Sequence, residues 1–168
     1  GSHVDRTVGI VKAYSTCVGE GPFTAEWFGE EAEALRQAGA EYGAATGRPR
    51  RVGPIDLVAT RYGVQIQGAT EIALTKLDVP SYMKEIPVCV QYEIHGQKTD
   101  EFPFTAVVDE AKPVFTTMPG WGCDISGVRK WEDLPVEARN YVEYIEKAIG
   151  CRISYVSVGA SRDEYIQR

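Results

Sequence analysis

Glu71-Ile72-Ala73-Leu74-Thr75-Lys76-Leu77-Asp78 is an apolar run that leaves on polar residues. Four to eight apolar positions of this kind read as a buried strand. Just before it, residues 56–67 predict a helix. Ile55, Ala59, Tyr62 and Ile66 fall at near-helical spacing, and Gly68 can cap the end. A helix followed by a buried strand is part of an α/β unit, so the fold class expected is α/β.

Working outward, residues 8–16, VGIVKAYST, predict one buried strand, broken afterwards by Gly19-Glu20-Gly21-Pro22. Residues 30–37 predict a short helix that stops near Gly39. Residues 41–53 read as a loop rich in glycine and arginine. Residues 88–94 and 101–107 predict a hairpin around His95-Gly96-Gln97, and residues 113–118 a short extended piece. Residues 134–149 form the clearest helix: Pro135 sits near its start, Gly150 ends it, and Ala138, Tyr141, Val142, Ile145 and Ile149 make one apolar stripe. Residues 152–158 return as an apolar strand, and the tail, 161–168, is polar. With no repeats or linkers, one domain over 4–168 is expected, and Gly1-Ser2-His3 reads as a tag scar.

The 168 residues carry a net charge of −6, which argues against general nucleic-acid binding, because neutralising phosphates needs surplus Lys and Arg. No apolar run approaches membrane-spanning length, so no membrane partner is expected. Cys17, Cys89, Cys123 and Cys151 are widely spaced with no CxxC pair, and read as reduced thiols of a cytoplasmic protein rather than metal ligands or disulfides.

Three segments could carry chemistry. The first is Lys76-Leu77-Asp78. A carboxylate accepts two parallel hydrogen bonds, and guanine presents two donors side by side, at N1 and the exocyclic amine. Adenine presents no such pair, so an aspartate here discriminates between them. The lysine stem can lie along the base face with its ammonium near water. Ligands of open α/β sheets sit beyond the carboxyl ends of strands, where this segment lies. Taken alone, residues 75–78 are better explained as a plain polar strand exit with a surface ion pair, because matches this short are common. The second segment is Gly43-Ala44-Ala45-Thr46-Gly47-Arg48-Pro49-Arg50-Arg51. Its glycines permit close approach to a ligand, and its arginines suit carboxylates and phosphates. Three arginines in four positions repel unless an anion lies among them; a solvated basic loop is the bland alternative. It lacks the phosphate-loop pattern of a nucleotide-binding P-loop. The third is Ser157-Val158-Gly159, which could bring backbone groups to a base or be a simple turn. Cys17 and His95 give little support for a Cys/His catalytic pair.

Taken together, VGIVKAYSTCVGEGPF, GAATGRPRRVG, ALTKLDV, MPGWGCDISGV and SYVSVGASRD resemble, in the same order, the C-terminal part of adenylosuccinate synthetase, from about Asp5 to Ile166. The resemblance implies the C-terminal portion of a P-loop-NTPase-like fold, a mixed sheet with flanking helices. It implies a ligase of AMP biosynthesis that joins IMP to L-aspartate: GTP phosphorylates the 6-oxygen of IMP, and the aspartate amine displaces the phosphate. Magnesium is required, with ligands mainly in the N-terminal part, and the whole enzyme is a cytoplasmic homodimer. Val18 and Gly19 would lie near the IMP ribose. Ala44, Ala45, Thr46, Gly47, Arg48, Pro49 and Arg50 would surround aspartate, with Arg50 reaching towards GTP. Lys76, Leu77 and Asp78 would hold guanine with Ser157, Val158 and Gly159.

Two departures stand out. Ala45 replaces the first of two consecutive threonines, which puts one hydroxyl contact in doubt, and Ala160 stands where the family continues into proline. The family's phosphate loop, catalytic aspartate and catalytic histidine have no counterpart in these residues. They therefore supply no catalytic residue, and a truncated or cleaved piece, inactive alone, is expected. The competing reading is a free-standing guanine-nucleotide binding module without catalysis, which would need its own phosphate loop. A basic-loop nucleic-acid binder through Arg48, Arg50 and Arg51 is disfavoured by the charge and by the lack of aromatics near the loop.

Overall fold

The computed structural model describes residues 2–168. Its elements, in order, are β1 (Val8–Lys12), β2 (Ser15–Cys17), α1 (Gly29–Gly39), β3 (Arg51–Gly53), β4 (Ile55–Asp56), α2 (Leu57–Gln67), β5 (Glu71–Thr75), β6 (Glu85–Ile94), β7 (Gln97–Thr99), β8 (Lys112–Pro119), α3 (Val136–Ile149), β9 (Ile153–Ser157) and β10 (Tyr165–Gln167). The fold is α/β with mixed sheets and flanking helices.

The sheet that positions the site has the order β1-β5-β9-β10. Its first three strands are parallel, and β10 runs antiparallel to β9. The carboxyl ends of β5 and β9 therefore exit side by side. Helix α3 covers this sheet as its apolar stripe requires: Ala138, Tyr141, Val142, Ile145 and Ile149 all enter the core with Ile72, Leu74, Ile153 and Val156. Each large member contributes roughly 1.5–3 kcal/mol by leaving water. The Tyr141 hydroxyl donates to Ala13 O at 2.6 Å, so the buried phenol is not left unpaired. A second sheet is built on β6, which pairs β8 along most of its length and β4 and β7 at two separate segments. Strands β2 and β3 form a separate antiparallel pair.

Several expectations need correction. The stretch 8–16 is two strands, not one. The chain turns at Ala13-Tyr14, whose side chains are buried, and β2 leaves for a different sheet. Strand β1 is also not buried throughout: it ends the sheet order, and Ile10 is 70% exposed. Helix α2 forms as expected, with Asp56 accepting from Ala59 N at 3.0 Å as its N-cap and Gly68 as the αL C-cap. The residues at near-helical spacing are not its buried face. Leu57, Val58 and Val64 enter the core, whereas Tyr62 and Ile66 are exposed, Tyr62 stacking on Phe102. The His95-Gly96 turn is real, with both residues at positive φ. Its second strand is β7 rather than 101–107, and residues 105–110 are 3₁₀. Proline 103, which has no N–H to donate, stands in that run. The polar tail contains β10, whose Ile166 is fully buried.

Candidate functional site

Strand β5 ends at Thr75, and Lys76 follows in the left-handed region at φ 60. A side chain there is strained, and such strain persists only where surroundings over-determine it. Leu77 then turns into the core, fully buried, while its N–H donates to Ser157 O at 3.0 Å. This bond joins the exit of β5 to the exit of β9, so residues 76–78 and 157–159 lie together. Val158 is also fully buried, and its N–H donates to Glu164 O. Leu77 and Val158 therefore have only backbone to offer a ligand, whereas Lys76, Asp78, Ser157 and Gly159 remain partly accessible. The Glu164 side chain packs close over Gly159: a Cβ there would meet its Oε2 at 2.1 Å, so that carboxylate would have to move.

Asp78 is half-buried, and among the described residues its carboxylate takes no hydrogen bond from another side chain. Burial pushes its carboxyl up from the usual aspartate range, Lys76 works against that, and the charges of Glu164 and Asp124 add to it. Beyond a hydrogen bond from its own backbone N–H, this half-buried carboxylate has acceptor capacity to spare, which suits a ligand that brings two donors.

The glycine- and arginine-rich loop is closed by its own backbone. Tyr42 and Pro49 bridge, Gly43 N donates to Arg48 O at 2.8 Å, and Gly47, at φ 64, donates to Gly43 O at 2.8 Å. Ala44, Ala45, Thr46, Gly47, Arg48 and Pro49 are exposed. A cleft of about 830 Å³ separates this loop from residues 17–21; Gly43, Thr46, Arg48, Pro49, Arg50 and Arg51 line one side, Val18 and Gly19 the other. Ala44, Ala45 and Gly47 do not line it.

The three arginines do not share one fate, and the anions that meet two of them are the chain's own carboxylates. Arg51 forks onto Glu26 at 2.8 and 2.9 Å and donates to Gly19 O and Gly21 O, clamping the far wall of the cleft. Arg50 donates to Glu41 Oε2 at 2.7 Å. Only Arg48 has no carboxylate partner among the described residues.

Glu41 is the residue that sequence reasoning missed. It lies just beyond the C-cap of α1, fully buried. Its Oε1 accepts from Tyr14 at 2.6 Å, Lys12 at 2.9 Å and Lys76 at 3.1 Å, and its Oε2 from Arg50. The Lys76 ammonium also donates to Gly39 O at 2.8 Å, so it is tied to protein rather than left to water. A glutamate just past the end of a helix gave no local signal; Lys12 and Lys76 are 29 and 35 residues away. Burial raises the Glu41 carboxyl, but the four hydrogen bonds outweigh it and hold it at about 2. The same carboxylate, after burial itself, pushes the Tyr14 hydroxyl well above the usual tyrosine range.

A carboxyl lowered on folding stabilises above its unfolded value, near 4.5, and that contribution is lost as pH falls towards 2. It is on the order of 3 kcal/mol for this group. Urea unfolding of the wild-type chain and Glu41→Gln is expected to show a stability difference that is full at neutral pH and shrinks through this window. A pH-independent difference would count against the assigned charge state.

The fold and site define an α/β protein with accessible polar groups at the carboxyl ends of adjacent parallel strands and a cleft lined by arginines. A family model described as adenylosuccinate synthetase matches residues 1–166, and the chain belongs to that family. The match begins at residue 1, so it includes Gly1-Ser2-His3. The adenylosuccinate synthetase of Bifidobacterium adolescentis is 51% identical over 98% of this chain, and that of Micrococcus luteus 51% over 96%. The chain spans only 39% and 38% of those two proteins. A fully ligated adenylosuccinate synthetase from Plasmodium falciparum superposes with a TM-score of 0.93 at 36% identity, covering all of this chain and 42% of that one.

Proposed function

We propose that the chain is the C-terminal part of an adenylosuccinate synthetase, and that it supplies the guanine-reading groups and the aspartate loop of a GTP-dependent ligase joining IMP to L-aspartate. The supporting observation is the joined exit of β5 and β9, which sets the Asp78 carboxylate, free of side-chain donors among the described residues, beside residues 157–159. In this reading Asp78 accepts from guanine N1 and its amine, the stem of Lys76 lies along the base, and Ser157 and Gly159 offer their accessible groups. Arg48 takes an aspartate carboxylate in the cleft, with Thr46 as the remaining hydroxyl of the loop, and Val18 and Gly19 meet the IMP ribose from the opposite wall. Arg50 shares the Glu41 carboxylate with Lys76, which suits a reach towards GTP.

Magnesium, when bound, neutralises phosphate charge. Among the described residues no three acidic, histidine or cysteine groups are disposed to hold a metal ion, and its ligands belong in this reading to the part of the family sequence that the chain does not span. The same part carries the phosphate-transfer groups, and the whole enzyme is a cytoplasmic homodimer. The chain alone is therefore expected to form no adenylosuccinate from IMP, aspartate and GTP at ordinary enzyme concentrations, whereas the full-length protein does. Turnover by the 168 residues alone would overturn this division of labour, and a full-length protein that binds guanine nucleotides without forming product would favour the binding-module alternative.

A further inference from the structure

We infer that Glu41 is a positioning residue that ties the aspartate loop to the guanine platform, so that the two substrate pockets are set by one buried carboxylate; this rests on the reading of both pockets given above. Three cations, Lys12, Arg50 and Lys76, and the Tyr14 hydroxyl converge on it. Four donors saturate a carboxylate. Two of the cations belong to different pockets. Arg50 is on the loop that walls the cleft, and Lys76 is on the strand exit beside Asp78.

The backbone repeats the link. Arg50 N donates to Glu41 O at 3.0 Å, Arg36 of α1 donates to Arg50 O at 3.0 Å, and Lys76 Nζ reaches Gly39 O. The C-terminal turn of α1 thus holds both residues at once. Gly39 has no room for a Cβ, which would meet the Tyr14 hydroxyl at 2.3 Å. Removing the charge of Glu41 leaves three cations around one neutral amide. They repel, and Arg50 and Lys76 both lose the charged partner that holds their side chains together.

The test is steady-state kinetics of the full-length enzyme. In Glu41→Gln the KM for aspartate and the KM for GTP are each expected to rise by about tenfold or more, as loss of a buried charge partner does. Loss of folded protein lowers only the apparent kcat and leaves KM in place, so the split separates positioning from stability. If Glu41→Gln does not fold, Tyr14→Phe keeps the charge and removes one donor; both KM values are then expected to rise together by roughly threefold, the loss of one hydrogen bond to a charged group softened by the donors that remain. Movement of only one KM, or of kcat alone, in the variant that folds overturns the coupling. Asp78→Asn run alongside keeps the failures apart. Altered purine selectivity there with unmoved Glu41 kinetics rejects the coupling alone, and unaltered selectivity removes the base reading beneath it.

Discussion

Full-length enzyme carrying Asp78→Asn is expected to lose roughly a hundredfold or more of its kcat/KM with GTP and to discriminate less between guanine and adenine nucleotides, since a charged acceptor facing two donors is worth several kcal/mol and its loss leaves donors unpaired. The size of the effect follows from the surroundings of Asp78. Its carboxylate is half-buried, no side chain donates to it among the described residues, and burial already raises its carboxyl. An asparagine keeps the shape but replaces one acceptor oxygen by a donor, which meets a donor on guanine. Competition between GTP and ATP in the standard assay measures the selectivity. Unchanged dependence on GTP would sink the assignment of the base pocket.

Arg48→Leu is expected to raise the KM for aspartate by about tenfold to a hundredfold, with a smaller change for GTP, in line with loss of a charge-assisted contact to a substrate carboxylate. Arg48 is the one arginine of the loop without a carboxylate partner among the described residues, and it lines the cleft opposite Val18 and Gly19. Arg50 and Arg51 are already engaged by Glu41 and Glu26, so they have less free charge to give a new ligand. A larger change for GTP than for aspartate would mean that the roles of Arg48 and Arg50 are exchanged.

Helix α3 was legible because one stripe of five apolar residues has a single compatible face, and all five are buried. Helix α2 was legible as a helix but not in orientation. Apolar residues lie on more than one of its sides, and only packing against its neighbours selects Leu57, Val58 and Val64 over Tyr62 and Ile66. The His95 hairpin closes on the short β7, and the long partner of β6 is β8, whose paired residues lie more than fifteen positions away, which local pattern does not rank.

Residue type and spacing alone determined which side chains could read a base or meet a carboxylate: Asp78 at a strand exit, and Arg48 and Arg50 on a glycine-flanked loop. Chemistry of this kind is local, and short stretches of chain express it. Only the tertiary structure decided how those groups are held. A buried carboxylate is tolerable only when donors surround it, and the donors for Glu41 come from β1, from residue 14 after it, from the arginine loop and from the end of β5. No single stretch of sequence contains that arrangement. It exists because parallel β1 and β5 exit at the same edge and the end of α1 closes over them.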